Sequence, residues 1–228
     1  MKRFFPSRLA QSLGILLLIS ASAVAADKAP PAGYLIFEDG AKEPLAPGLE
    51  FHHGSWKFAE GAMLGEQVPT EKHLATIKGL MAFDQMKVEW KMKFEQPKES
   101  FLFVAWPADS HNHAMDFNYK PDIGDFWLVR PKWQDKEAAT LVKGRIAKTG
   151  VEWHEIVCVH DGANFTVTID GTTLTAADES FKRPMGPFYL NGGGFDGAKF
   201  LVKDLKVTAL AGSPQERALL PGDPAKHK

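Results

Sequence analysis

The stretch Met86–Phe94, "MKVEWKMKF", decides the fold. Val88, Trp90, Met92 and Phe94 fall on one side of an extended chain, and Lys87, Glu89, Lys91 and Lys93 on the other. That period of two is the signature of a β-strand with one face on a core and one in water. Downstream, "SFLFVAW" (100–106) is a more continuous apolar run and reads as a strand covered on both sides. "HAMDFNY" (113–119) and "DFWLVR" (125–130) follow, joined by the turn chemistry of "KPDIG". "WHEIVCVH" (153–160), "NFTVTID" (164–170) and "TTLTA" are separated by Asp161-Gly162 and Asp170-Gly171. Asp-Gly between alternating runs signals a hairpin, because the turn needs positive φ at its centre. "FYLNGGG" and "FLVKDLKV" (200–207) close the set, and only "DKEAATLVKG" offers a turn or two of helix. A dozen or so short antiparallel strands make an all-β sandwich of two sheets with little helix.

The chain has 228 residues, and its first 26 read as a signal peptide. Lys2, Arg3 and Arg8 precede the apolar run "LGILLLISASAVA", and Ala23-Val24-Ala25 offers a small-x-small cleavage site near Ala25/Ala26. The expectation is export to the periplasm or beyond, as no later segment has the 18 apolar residues of a membrane span. Residues 27–33, "DKAPPAG", read as a linker, 34–209 as one domain, and 210–228 as a disordered tail. Without the signal, 24 basic residues face 28 acidic ones with no basic run, which argues against nucleic acid as a partner. The lone Cys158 excludes an internal disulfide and reads as a buried small hydrophobe. Sixteen phenylalanines and six tryptophans are enough to build a core without one.

The landmarks Gly54, Trp56, Gly61 and Leu64 in "GSWKFAEGAMLGE" resemble the "G-x-W-x-x-x-x-G-x-L" opening of the 3-keto-disaccharide hydrolase domains (domain of unknown function 1080). "FDQMKVEWKMKF" (83–94), the hairpin "NFTVTIDGTTLTA" and the closing "GPFYLNGGG…FLVKDLKV" are similar to later strands of that family. The resemblance implies a concanavalin A-like jelly roll, export from a bacterial cell and a link to carbohydrate breakdown. "SFLFVAWPADSHNH" lacks the glycines and the arginine of the family's "GN-S-G-I-x-x-R".

Candidate chemistry centres on "SHNHAMDF" (110–117). On a regular strand His111, His113, Met115, Phe117 and Tyr119 share one face, while Asn112, Ala114, Asp116 and Asn118 share the other. A His113–Asp116 dyad is then disfavoured, whereas His111 and His113 converge. Zinc would need a third ligand, for which His73 and His154 are the candidates. The plainer reading is a hairpin turn made by Asp109 and Ser110, with no cofactor or metal. His52 and His53, adjacent in "FHHGSW", point to opposite faces and read as solvated loop residues. The Glu-x-Asp-x-x-Glu strand of jelly-roll glucanases is absent, which leaves no ready carboxylate pair for glycoside hydrolysis.

Aromatics give a second route to function, since a sugar's apolar face stacks on exposed rings while polar groups meet its hydroxyls. Trp106, Trp127, Trp133 and Tyr189 lie near strand ends, with Asp116, Asn118, Arg130 and Asn191 as polar companions. Trp56, Trp90 and Trp153 read as core. Three functions stay open. The leading one is carbohydrate binding on the concave sheet. The second is a hydrolase acting on glycosides, metal-assisted if the histidines hold an ion, and the third is a structural or protein-interaction module of the cell envelope.

Overall fold

The computed structural model describes residues 34–80, 85–107, 113–147, 149–182 and 188–211. These form fifteen strands. In chain order they are β1 (Tyr34–Asp39), β2 (Leu49–His53), β3 (Ser55–Ala59), β4 (Ala62–Glu66), β5 (Ala75–Gly79), β6 (Gln85–Phe94), β7 (Phe101–Pro107) and β8 (His113–Lys120). There follow β9 (Asp125–Arg130), β10 (Ala139–Arg145), β11 (His154–His160), β12 (Asn164–Ile169), β13 (Thr172–Ala177), β14 (Tyr189–Gly193) and β15 (Lys199–Ala211). Beside them stands one 3-10 turn, Glu179–Lys182, and no α-helix occurs among the described residues. Nor is any helix there long and apolar enough to cross a membrane.

Two antiparallel sheets stack on each other. One runs β13-β12-β11-β6-β15-β4-β3, with β1 paired to the second half of β15; the other runs β10-β9-β8-β7-β14-β5-β2. Strand β6 behaves as its alternation requires: Met86, Val88, Trp90, Met92 and Phe94 are buried, and the Lys/Glu set between them is half-buried on the outer face. Opposite them the second sheet contributes Ile77, Leu102, Val104, Phe117, Leu128 and Leu190, all fully buried. Burial of each such side chain is worth about 1.5–3 kcal/mol, so the sandwich is held mainly by this interior. At the Asp170-Gly171 turn both residues have positive φ (46° and 83°), the two-residue hairpin geometry that the dipeptide favours.

Two sequence readings need correction. "DKEAATLVKG" forms no helical turn. Its second half is strand β10, which pairs with β9 from Ala139↔Arg130 to Arg145↔Asp125, since the neighbouring edge of β9 offers its hydrogen-bonding groups. The apolar run of β7 is covered on one side only: Leu102, Val104 and Trp106 enter the core, while Phe101 and Phe103 are half-buried on the outer face.

A buried polar chain links the sheets. His154, at the start of β11, sends Nδ1 to Asp170 at 2.7 Å, and its Nε2 lies 3.1 Å from the Tyr119 hydroxyl of β8. Asp170 accepts a second hydrogen bond from the Glu155 N–H at 2.9 Å. Tyr119 and His154 are both fully buried, and burial pushes the Tyr119 hydroxyl well above its ordinary pKa.

Candidate functional site

The outer face of the seven-stranded sheet gathers most of the candidate residues, and strand register sets their order. Directly opposed residues share a face, so pairings chain into rows across the sheet. One row is Glu50–Lys78–Tyr189–Ala105–Asp116–Val129–Thr140. The next is His53–Thr76–Asn191–Phe103–Asn118–Trp127–Lys143. A third begins at Lys120 and continues through Asp125 to Arg145. Tyr189, Phe103 and Trp127 are half-buried, so each leaves part of a ring at the surface beside hydrogen-bonding neighbours.

The centre of the face departs from a regular strand. Between Trp106↔Met115 and Pro107↔His113 the register slips, and Ala114 is the extra residue of a bulge. The slip moves His113 onto the same face as Asp116, where its Nδ1 sits 2.7 Å from Asp116 Oδ1. The dyad disfavoured by strict alternation is therefore present, because a bulge changes which face every residue beyond it occupies. Asp116 is well covered at 14 % side-chain exposure against 37 % for His113. Burial raises the Asp116 pKa above its usual range, opposed in part by the hydrogen bond and charge of His113. The His113 ring also lies 5.6 Å from that of Phe103.

A second bulge, between Phe51 and His53, overturns the reading of His52 and His53 as opposed residues. Their rings meet edge-on at 4.4 Å, and His73 stacks on His53 at 4.5 Å. His52 Nδ1 lies 3.0 Å from Glu50, which also reaches Lys78 at 3.4 Å. The Lys78 ammonium stands 5.6 Å from the centre of the Tyr189 ring.

The other candidates separate. Asn191 accepts from the Thr76 hydroxyl at 2.7 Å and donates to the Phe103 carbonyl at 2.9 Å, which makes it a fixed part of the face. Arg130 lies on the inward parity of β9, is 12 % exposed, and donates to the Glu137 carbonyl at 2.7 Å beside Asp178 at 3.7 Å. It ties the loop between β9 and β10 to the one after β13. Trp133 is half-buried under the Lys136 ammonium, 5.5 Å from its ring, in a loop closed by mutual Trp133–Lys136 backbone hydrogen bonds. Trp106 is core, 1 % exposed and 4.7 Å from the Phe165 ring. Trp90 is core as expected, but Trp153 lies half-buried beneath the Lys203 ammonium, 4.2 Å from its ring. Trp56, also half-buried, stacks on Phe51 at 4.8 Å.

His111 lies outside the described residues, as do the signal segment 1–26, the linker 27–33 and residues 212–228 of the expected tail, whereas Leu210 and Ala211 belong to strand β15, which carries the sheet two residues past the expected domain end. The histidines proposed as metal partners are scattered: His113 on the outer face, His154 in the interior, His73 in the loop before β5. Among the described residues no group of three or more His, Cys, Asp or Glu is placed to hold a metal ion. No carboxylate partners Asp116 at hydrolase spacing within its row. Glu50 lies four strands away, about 19 Å at the usual inter-strand spacing. Sequence reasoning missed Lys78, Glu50, Phe103 and Lys143, whose strands carry weaker alternation.

Three solved structures share the concanavalin A-like jelly-roll fold. A non-specific endo-β-1,3(4)-glucanase of family GH16 matches with a TM-score of 0.61 at 12% identity, covering 80% of this chain and 93% of its own. The CBM2 module of an evolved Dit from Lactobacillus casei BL23 phage J-1 gives 0.60 at 10% identity, covering 79% and 97%. Alginate lyase A1-II′ gives 0.53 at 11% identity, covering 70% and 85%. At such identities the likeness establishes the fold. No protein-family model matches the sequence, and no curated protein matches it. The jelly roll implied by Gly54, Trp56 and the closing strands is present, while kinship with the 3-keto-disaccharide hydrolase domains rests on those residues alone.

Proposed function

We propose that this chain is an exported carbohydrate-binding β-sandwich whose ligand lies across the outer face of the seven-stranded sheet. The observation that carries the reading is the pair of cross-strand rows, where Tyr189, Phe103 and Trp127 alternate with Lys78, Asn191, Asp116 and Asn118. From β14 to β9 the face spans three inter-strand steps, about 14 Å, the length of a short oligosaccharide. Stacking on the rings supplies affinity, and the fixed amides and charges select hydroxyl geometry. The basic start and apolar run before Ala25 support export. That a CBM2 module, a glucanase and an alginate lyase share this fold agrees with a glycan ligand. A glycan array on the mature protein tests the reading, with Tyr189→Ala and Trp127→Ala as paired variants. Binding that weakens in both supports it, and an array without signal refutes it.

A second reading, cleavage of a glycoside, is favoured by the His113–Asp116 dyad. A partly exposed imidazole oriented by a buried carboxylate has the form of a general base. On this reading His113 takes a proton from a water that attacks the anomeric carbon, the glycosidic C–O bond breaks, the departing alcohol takes its proton from solvent, and Asp116 holds the ring's tautomer. Reducing-end release by wild type, lost in both His113→Gln and Asp116→Asn while glycan binding persists, would make the protein an enzyme. Without release from any array ligand, binding alone stands. The half-exposed Trp127 and Tyr189 argue against a purely structural module.

A further inference from the structure

The far end of the sheet face, over β9 and β10, holds a shallow pocket of about 280 Å³ with an uneven charge. Trp127 lines it together with Lys120, Lys143 and Asp125, and the Lys143 ammonium lies 5.9 Å from the centre of the indole. Asp125 is 5 % exposed, and its two oxygens are both engaged, one by Lys143 at 2.9 Å and the other by Arg145. A single buried carboxylate thus answers two cations, and the exposed Lys120 adds a third. Asp122, on the neighbouring turn, does not line the pocket. The Asp125 carboxyl is held down at about 2 by Arg145 and Lys143, which keeps this arrangement of charges intact throughout the neutral range.

We infer that this pocket takes an acidic sugar residue, its ring stacked on Trp127 and its anionic group set between Lys143 and Lys120. The inference rests on the carbohydrate reading above and names the chemical class of the ligand. The volume lies just below the range of small-molecule sites and suits one sugar ring rather than a chain. Lys143, 59 % exposed, remains within reach of solvent while it bridges Asp125 and the indole. An ammonium over an aromatic face stacks with the ring's quadrupole and still presents donors outward. A neutral sugar uses only the stacking surface; an anionic one also relieves the excess of positive charge. Beyond the pocket the second row continues through Asn118 and Phe103 to Asn191, so the rest of a glycan chain has a path across the sheet.

The test is isothermal titration of the full mature chain with trimers of galacturonate, glucuronate and mannuronate, the methyl ester of each, and a 6-O-sulfated cellotriose. The expected result is that at least one acidic trimer binds tenfold or more tightly than its uncharged counterpart. The preference should shrink severalfold between 50 and 500 mM salt, as screening requires. Lys120→Gln and Lys143→Gln should each lower affinity for the acid by a severalfold larger factor than for the ester, with melting curves as the check on folding. A uronate alone or the sulfated trimer alone identifies the anion. Equal binding of acid and ester, insensitive to salt, overturns the inference and leaves carbohydrate binding in place. No binding of these trimers, with neutral glycans positive on the array, overturns it as well; no glycan binding of any kind overturns the underlying reading.

Discussion

Replacement of Tyr119 by phenylalanine isolates a single hydrogen bond at the junction of the two sheets. Asp170 accepts from the His154 Nδ1–H and from the Glu155 N–H, so the His154 proton sits on Nδ1 and Nε2 is an acceptor. The Tyr119 hydroxyl is then the donor, at 3.1 Å, in a fully buried setting. Phenylalanine keeps the ring and opens no sizeable cavity. The loss is one hydrogen bond, net about 0.5–1.5 kcal/mol, together with a buried acceptor left unsatisfied, for a total of about 2 kcal/mol. In a domain of this size that lowers the melting temperature by about 4–8 °C. Urea unfolding followed by tryptophan fluorescence should show an earlier midpoint with an unchanged slope. A Tyr119→Phe/His154→Leu double variant should cost less than the sum of the singles, because it removes the stranded acceptor. Alkaline pH gives a second readout. Burial raises the folded pKa of Tyr119, so its contribution is complete below about pH 10 and is lost as pH rises beyond that. That alkaline slope should vanish in Tyr119→Phe. A single variant within 0.5 kcal/mol of wild type, or strict additivity, would refute the proposed donor and acceptor roles.

Cys158 is buried and its thiol is pushed far above the ordinary value by burial, so a thiol reagent should label the protein only after denaturant is added. Labelling of the native state at the rate of a free thiol would contradict that. Gly194→Ala should destabilise by at least about 2 kcal/mol, since an added Cβ would lie 2.1 Å from the Glu99 carbonyl oxygen at a φ of 141°; an unchanged urea midpoint counts against this. Asp125, held down to about 2 by Arg145 and Lys143, contributes stability that is present above about pH 4 and lost as pH falls toward 2. In Asp125→Asn the acid limb of the stability profile should flatten over that window, and a limb of wild-type steepness would assign it to other carboxylates.

Strands whose two faces differ were legible in the sequence. Met86–Phe94 alternates without a break, and its buried and half-buried residues alternate in step. The Asp170-Gly171 turn was equally clear, because the backbone there needs positive φ and the dipeptide supplies it. "ATLVKGR" was not, since a short run with alanine, lysine and glycine has no strong period, and pairing with β9 alone makes it a strand. The candidate site failed at two single residues. Alternation counted through Ala114 and His52 assigns faces by parity, and each bulge reverses that parity locally. Neither position carries the glycine or proline that would have marked it. Tyr189, Asn118, Asn191 and Trp127 reach the same outer face because their runs alternate regularly, and the Lys78–Glu50 pair beside them came to light only through register.

Strand β1 runs antiparallel to the end of β15, with Tyr34 opposite Ala209. The folded unit therefore begins and finishes at one corner. A brief linker between those two points would close the chain into a ring without disturbing either sheet. Fresh ends opened at Asp170-Gly171, where no side chain would meet a Cβ on Gly171, should yield a circular permutant with the same fold. The same proximity lets the whole sandwich be spliced into a surface loop of another protein, both of its sheets intact and only a few ångströms added between the host's strands.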